Sequence, residues 1–227
     1  MLKGVAMVTV CAVSDIHGDV SVCYQLKTHI ESNNISNLIL LGDYSSTIGD
    51  LEENREDIKS IMNILGELAS VYAIPGNCDA REVVKVLRSF GIYYHNSEVS
   101  IGEFSVILYG GSNPTPFNTS WEVEEDVILN DLKALFSDHS HTPTILAVHA
   151  PPLNTACDVI PGGAHVGSSS IRTIIEEFQP EYVLCGHIHE CGGKEDAIGS
   201  SRVFNIGMLG QGHIVDITDE GVEHHLL

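Results

Sequence analysis

Positive charge is scarce in this chain. Eleven Lys and Arg stand against thirty-one Asp and Glu, a formal net charge of −20 over 227 residues. No Lys/Arg run occurs, and a field of that sign repels long nucleic acids, whose binding rests on basic side chains neutralising phosphates. Long apolar runs are missing too. None approaches the roughly 18–20 residues that span a bilayer, and the start lacks the charged-then-apolar pattern of a secretory leader. The expectation is a cytoplasmic protein with no membrane partner. The six cysteines, at positions 11, 23, 78, 157, 185 and 191, contain no close pair. That argues against a structural zinc site built on cysteines and for buried thiols in a reducing compartment. No HExxH helix and no Ser or Cys nucleophile elbow is present, which sets aside an amide hydrolase. Linkers, repeats and low-complexity tracts are absent, so residues 1–227 are read as one domain. Heptads are absent as well, and oligomeric state stays open.

What is present is a set of short apolar stretches with strand character: Val5–Val13, Leu38–Leu41, Val71–Ile74, Val106–Tyr109, Ile145–Val148, Tyr182–Cys185, Val203–Ile206 and Ile214–Ile217. Several are continuously apolar, as strands covered on both faces are. Helix-period segments lie between them at Val20–Glu31, Leu51–Leu68, Ala80–Phe90, Val123–Phe136 and Ser168–Phe178. Asp79 and Ser168 are expected to act as N-caps. Glu122, Glu124, Glu125 and Asp126 crowd a helix start, as its dipole prefers. The alternation predicts an α/β fold, with the strand-rich part from Tyr182 onward forming a second sheet packed on the first. The stretches Gly110–Pro116 and Pro151–Gly167 are long irregular loops, a length usually tied to function.

Five polar clusters sit where apolar runs end: Asp15-Ile16-His17, Gly42-Asp43, Gly76-Asn77-Cys78-Asp79, His149, and Gly186-His187-Ile188-His189. Strand ends share one edge of an α/β sheet, so distant segments can deliver side chains to one spot. Asp15 and His17 alternate by two and can point the same way, as can His187 and His189. Asp, His and Asn in these proportions suit two divalent ions. With only Asp15 and Asp43 as carboxylates, such a site keeps net positive charge to bind a phosphate and acidify a water.

Asp-x-His, Gly-Asp, Gly-Asn-x-Asp, a lone His after a strand and Gly-His-x-His, in that order, resemble the calcineurin-like metallophosphoesterase superfamily. The likeness is to the small prokaryotic phosphoesterases related to the Icc cyclic-nucleotide enzymes, where a His-Ala-Pro-Pro loop precedes a His-Val-Gly-Ser turn, as at His149–Pro152 and His165–Ser168. The resemblance implies a four-layer α/β/β/α sandwich of two mixed β-sheets flanked by helices. It implies that Asp15, His17 and His189 hold one metal, that Asp43 bridges, and that Asn77, His149 and His187 hold the other. A hydroxide between the metals would attack phosphorus in line, without a covalent enzyme intermediate. The function implied is a metal-dependent phosphoesterase for a small phosphodiester or activated monoester, with Asp43 and Asn77 at the reacting centre. Manganese is favoured, with iron, zinc, cobalt or nickel also suited to an N/O site.

Two departures from the pattern stand out. Cys78 occupies the slot where the superfamily usually has a leaving-group histidine, and His165 in its Gly-rich loop is the expected replacement donor. Ser46 stands where purple acid phosphatases carry a metal-binding Tyr, so no tyrosinate-bound iron is expected, although Tyr44 lies nearby. Asp79 is expected to be a cap or a supporting partner rather than a ligand. Asn113 and Thr155 are pocket-wall candidates. Of the twelve histidines, His29, His95, His139, His141, His224 and His225 are read as incidental. The alternative function is a non-catalytic scaffold that keeps the sandwich for binding a protein partner.

Overall fold

Three strands, β1 (Val10–Val13), β2 (Asn37–Leu40) and β3 (Ser70–Ala73), run parallel in one sheet. Each leads through a turn to a helix: α1 (Cys23–Asn33), α2 (Leu51–Leu65) and α3 (Val83–Ser89). The computed structural model describes residues 9–137, 144–218 and 220–227. The second sheet is built from β4 (Ser97–Ile101), β5 (Phe104–Tyr109), β6 (Thr144–Val148), β7 (Tyr182–Cys185), β8 (Glu195–Ile198) and β9 (Ser201–Asn205), in the order β4-β5-β6-β7-β9-β8. Helices α4 (Glu125–Ser137) and α5 (Ser169–Phe178) accompany it. The chain then returns to the first sheet. Strand β10 (His213–Thr218) pairs antiparallel with β1, and β11 (Gly221–Leu226) adds the edge, giving β11-β10-β1-β2-β3.

Period-two alternation divides the apolar residues among three packed layers. Val10, Ala12 and Ile39 meet Val106, Ile145 and Leu184 between the sheets. Cys11, Val13 and Leu38 face α1 and α2 on the outside, with Leu26, Ile30, Ile58 and Ile61. On the far side Ile107, Leu146 and Val183 pack on Ile128, Leu132, Ile171 and Ile174 of α4 and α5. Two mixed sheets flanked by helices is therefore the architecture, in the order helix, sheet, sheet, helix.

Several expectations are corrected. The first strand begins at Val10; residues 5–8 of the expected stretch, like His139 and His141, lie outside the described residues. The strands after Tyr182 do not make one sheet: β7, β8 and β9 join the second, whereas β10 and β11 rejoin the first. Strands β4, β8 and β11 were not expected, because edge strands carry polar residues such as those of Glu-Asp-Ala-Ile in β8. Asp79 is not an N-cap, since α3 starts only after Glu82. Ser168 does cap α5, its hydroxyl accepting from Ile171 N at 3.1 Å. Glu125 and Asp126 do lie in the first turn of α4, and Glu125 serves α5 as well, accepting from Ser168 Oγ (2.7 Å), Ser169 N (2.9 Å) and Ser170 N (2.9 Å).

Candidate metal centre

Asp15 and His17 follow β1, Asp43 follows β2, and Asn77 follows β3; His149 follows β6, while His187 and His189 follow β7. The exits of β1 and β2 run on side by side beyond the sheet, Asp15 N donating to Gly42 O (3.1 Å) and His17 N to Asp43 O (3.0 Å). Across the two sheets, His187 N donates to Asp15 Oδ2 at 3.0 Å. Four of these residues adopt the left-handed backbone region: Asp15 (φ 54°), His17 (47°), Asp43 (56°) and His187 (65°). That conformation is costly outside glycine and collects at functional sites. It turns each strand sharply, so the side chain leaves the pleat and faces the neighbouring loops. Gly76 and Gly186 make room. A Cβ on Gly76 would collide with Asp43 Oδ1, and one on Gly186 with Asp15 Oδ2.

The side chains meet in two groups that share carboxylates. Ligand atoms of Asp15, His17 and His189 all lie within 4.8 Å of one another, and so do those of Asp15, Asp43 and His149. Asp15 Oδ1 is 3.2 Å from His189 Nε2 and 3.6 Å from His17 Nε2. Cys78 N donates to Asp43 Oδ1 at 2.8 Å, which leaves Oδ2 facing both groups, 3.8 Å from His17 Nε2 and 3.6 Å from His149 Nε2. The His187 ring sits beside that of His149, centroids 5.2 Å apart. Asp15, Asp43, Asn77 and His149 are buried; His17, His187 and His189 are half-buried.

The electrostatics call for positive charge. Burial acts to raise the Asp15 pKa, but hydrogen bonds from His17 and His189 outweigh it and hold the carboxyl well below the usual range. Burial opposes protonation of His17 as well, yet Asp15 and Asp43 lift it to about 9. His187 goes the other way, to about 4, through burial and the adjacent His149. That keeps its ring neutral near neutral pH.

One contact tests directly whether a cation fits. Thr119 Oγ1 donates to the carboxylate of Glu122 at 2.7 Å, so it must accept from Asn77 Nδ2 at 3.0 Å. Asn77 Oδ1 then points at His149 Nε2, 2.9 Å away, while His149 Nδ1 donates to Leu41 O at 2.8 Å. His149 Nε2 and Asn77 Oδ1 thus converge, with Asp43 Oδ2 3.6 Å from the same nitrogen. Ligand atoms gathered this way suit a cation between them, and the backbone bond at Nδ1 is the usual device for orienting a ligating imidazole.

Supporting residues hold this arrangement. Asp79 is fully buried and accepts from Gly76 N (2.8 Å), Asp43 N (3.0 Å), Tyr44 N (3.1 Å) and Asn54 Nδ2 (2.8 Å). It staples the β2 and β3 exits together. Burial and the nearby Asp43 charge push it up to about 7. Tyr44 is a core residue whose hydroxyl donates to Ile74 O at 2.7 Å. The Cys78 thiol is pushed up by burial and by Asp43, which keeps it protonated. His165 lies on an exposed loop, its Nδ1 2.6 Å from Asp158 Oδ1. Asp158 also accepts from Asn154 N (3.1 Å), Thr155 N (2.8 Å) and Gly167 N (3.0 Å), so one buried carboxylate ties the loop together. Thr155 belongs to that turn, and Asn113 Nδ2 reaches across to Val166 O at 3.3 Å. Sequence reading missed Asp158, Thr119 and the loop role of Glu122; a carboxylate three residues from a Thr was the available signal.

The chain belongs to the calcineurin-like phosphoesterase family, whose profile matches residues 8–191. Membership indicates phosphoesterase activity dependent on divalent metal ions. An uncharacterized protein of Methanocaldococcus jannaschii is 37% identical over 163 residues, 69% of this chain and 73% of that protein. A 3',5'-cyclic-nucleotide phosphodiesterase of Nostoc sp. is 26% identical over 155 residues, 67% of this chain but 55% of its own length. A dimetal phosphatase from Danio rerio superposes with a TM-score of 0.63 over 92% of this chain and 91% of that one; at 12% identity the likeness is one of fold. Among the described residues no helix is long and apolar enough to cross a membrane.

Proposed function

We propose that the protein is a binuclear metal-dependent phosphoesterase acting on a small phosphodiester or an activated phosphomonoester. The observation that carries the reading is Asp43 Oδ2, set between His17 and His149 at 3.8 and 3.6 Å and so able to serve two cations at once. Asp15, His17 and His189 would hold one ion, and Asn77, His149 and His187 the other, with Asp43 shared. Bound there, two divalent ions supply Lewis acidity for phosphoryl oxygens and lower the pKa of water. An all-N/O donor set suits manganese, with iron, zinc, cobalt and nickel as competitors.

The chain's own residues do the positioning. Asp43 and Asn77 face the reacting centre, each fixed by a bond to its other side-chain atom, from Cys78 N and to Thr119 Oγ1. His165 would be the proton donor for the leaving group: the Asp158 carboxylate accepts from Nδ1, so Nε2 is the atom that would carry the proton to be given up. The protonated, neutral thiol of Cys78 is unsuited to that task. The name of the Nostoc relative supports a diester over a monoester. A cytoplasmic location belongs to the same proposal.

The test is hydrolysis of a bis-aryl diester and an aryl monoester with added Mn(II), with Asp43→Asn as control. Diester turnover abolished in the control supports the reading. Failure to turn over either ester with both ions shown bound overturns it in favour of a scaffold. For His165, substitution by Ala should slow an alkyl ester by about 10²-fold while sparing an aryl ester that needs no acid; equal slowing of both would remove His165 from this role.

A further inference from the structure

A second cluster of metal-ligating side chains lies in the body of β1 rather than at its end. Cys11, fully buried, is the direct register partner of Asp216 on β10. Their side chains face α1, from which His29 reaches down, its Nε2 2.6 Å from Asp216 Oδ2. Ligand atoms of Cys11, His29 and Asp216 all fall within 4.8 Å of one another. From β11, His225 joins on the same face, its Nε2 3.4 Å from Asp216 Oδ2, with its ring 5.3 Å from that of His29. Glu223 Oε2 lies 3.7 Å beyond on the solvent side of His225.

One atom is out of place in this cluster. Asp216 is 8% exposed, and its Oδ1 is buried with no hydrogen bond of normal geometry among the described residues. The donor that β1 offers to this carboxyl is the Cys11 thiol, a weak one. The cluster holds two imidazoles, a thiol and this oxygen, and no Lys or Arg. One thiolate, two imidazoles and one carboxylate form a complete four-donor set for zinc.

We propose that Cys11, His29, Asp216 and His225 form a structural site for a single zinc-type ion, separate from the phosphoesterase centre and clasping the C-terminal hairpin to β1 and α1. Binding draws the His29 imidazole back from the carboxylate. The thiol proton leaves to solvent as the sulfur–metal bond forms, and the imidazole proton moves to Nδ1, whose present neighbour, the Asn33 amide nitrogen, stays bonded to His29 O. Burial and Asp216 push the Cys11 thiol up, so it is protonated until an ion arrives. A soft sulfur donor sets the ion preference apart from that of the N/O centre. The half-exposed His225 marks the way in.

The test is cobalt(II) titration of the whole metal-stripped protein, read by absorption and by bound metal per chain. Thiolate bound to cobalt gives a near-ultraviolet charge-transfer band that N/O ligands cannot give. The expected result is that band in the wild type, its loss in Cys11→Ser with one cobalt fewer per chain, and its persistence in Cys78→Ser. If Cys11→Ser does not fold, His29→Ala and His225→Ala stand in; each should need at least tenfold more cobalt to saturate the band. No band in the wild type overturns the proposal, as does a band surviving Cys11→Ser or lost in Cys78→Ser. The cluster would then be a buried hydrogen-bonded group only.

Discussion

Strand β1 supplies donors at two places, and the two are made differently. At its end Asp15 and His17 are swung inward by left-handed backbone and met by residues from four other strand ends. In its body Cys11 stays in regular extended structure, and its partners arrive by sheet register from β10 and β11 and by helix docking from α1. The end site draws on loops and needs props: Asp79 staples two exits, and the Glu122–Thr119 pair sets the Asn77 amide. The body site needs none, because strand pairing already fixes three of its four side chains. Catalytic chemistry requires an open, charged edge, whereas a structural ion can sit inside ordinary pairing. The donors follow that division, all oxygen and nitrogen at the edge and sulfur in the body.

Asp43→Asn should separate the two most sharply. It should lower kcat/KM for the diester by about 10³-fold, as loss of a major charge-stabilising group does. The same variant should keep the cobalt–thiolate band intact. If the band falls with the activity, the two clusters are one coupled unit.

Thr119→Val comes next. Without the hydroxyl the Asn77 amide loses its orientation, and the Mn(II) concentration for half-maximal activity should rise about 10–100-fold, as for other residues that orient ligands. Thr119→Ser should restore most of the affinity. An unchanged Mn(II) requirement would mean that the amide is held by other contacts.

The smallest effect concerns acid stability of the loop beside the edge site. Burial would raise the Glu122 pKa, but bonds from Thr115 and Thr119 win and bring it to about 2 from an ordinary value of 4.5. A carboxylate depressed by folding contributes stability that is present above its unfolded pKa and lost as pH falls through its folded one. Melting temperature should therefore decline as pH drops from 4.5 toward 2, and Glu122→Gln should flatten that part of the profile. Equal slopes for both proteins would show that the loop bonds contribute nothing to folding.

The seven residues proposed from their strand-end motifs do gather at one edge, because a motif that ends a strand carries its own position in the fold. The helices were readable within a few residues, since apolar spacing and caps such as Ser168 are local signals. Register is not local. Cys11 and Asp216 become neighbours only because β10 returns beside β1 after both sheets are built, which is why His29 and His225 looked incidental. Edge strands β4, β8 and β11 were hidden by their polar faces. Asp158 looks in sequence like any loop carboxylate, and Glu122 like one more acid at the start of α4, which begins only at Glu125; the folded loops show several donors converging on each.

The left-handed turns at Asp15, His17, Asp43 and His187 reverse a familiar rule of mutagenesis. Glycine is ordinarily the harsher truncation and alanine the milder one, since glycine leaves the unfolded chain freer. At these four positions alanine would keep the Cβ that opposes the backbone path while losing the interactions that hold it there. Glycine follows the same path without steric conflict. Site-dead proteins made with glycine should therefore melt higher than their alanine counterparts. These four candidate ligands sit where the fold alone would have chosen glycine.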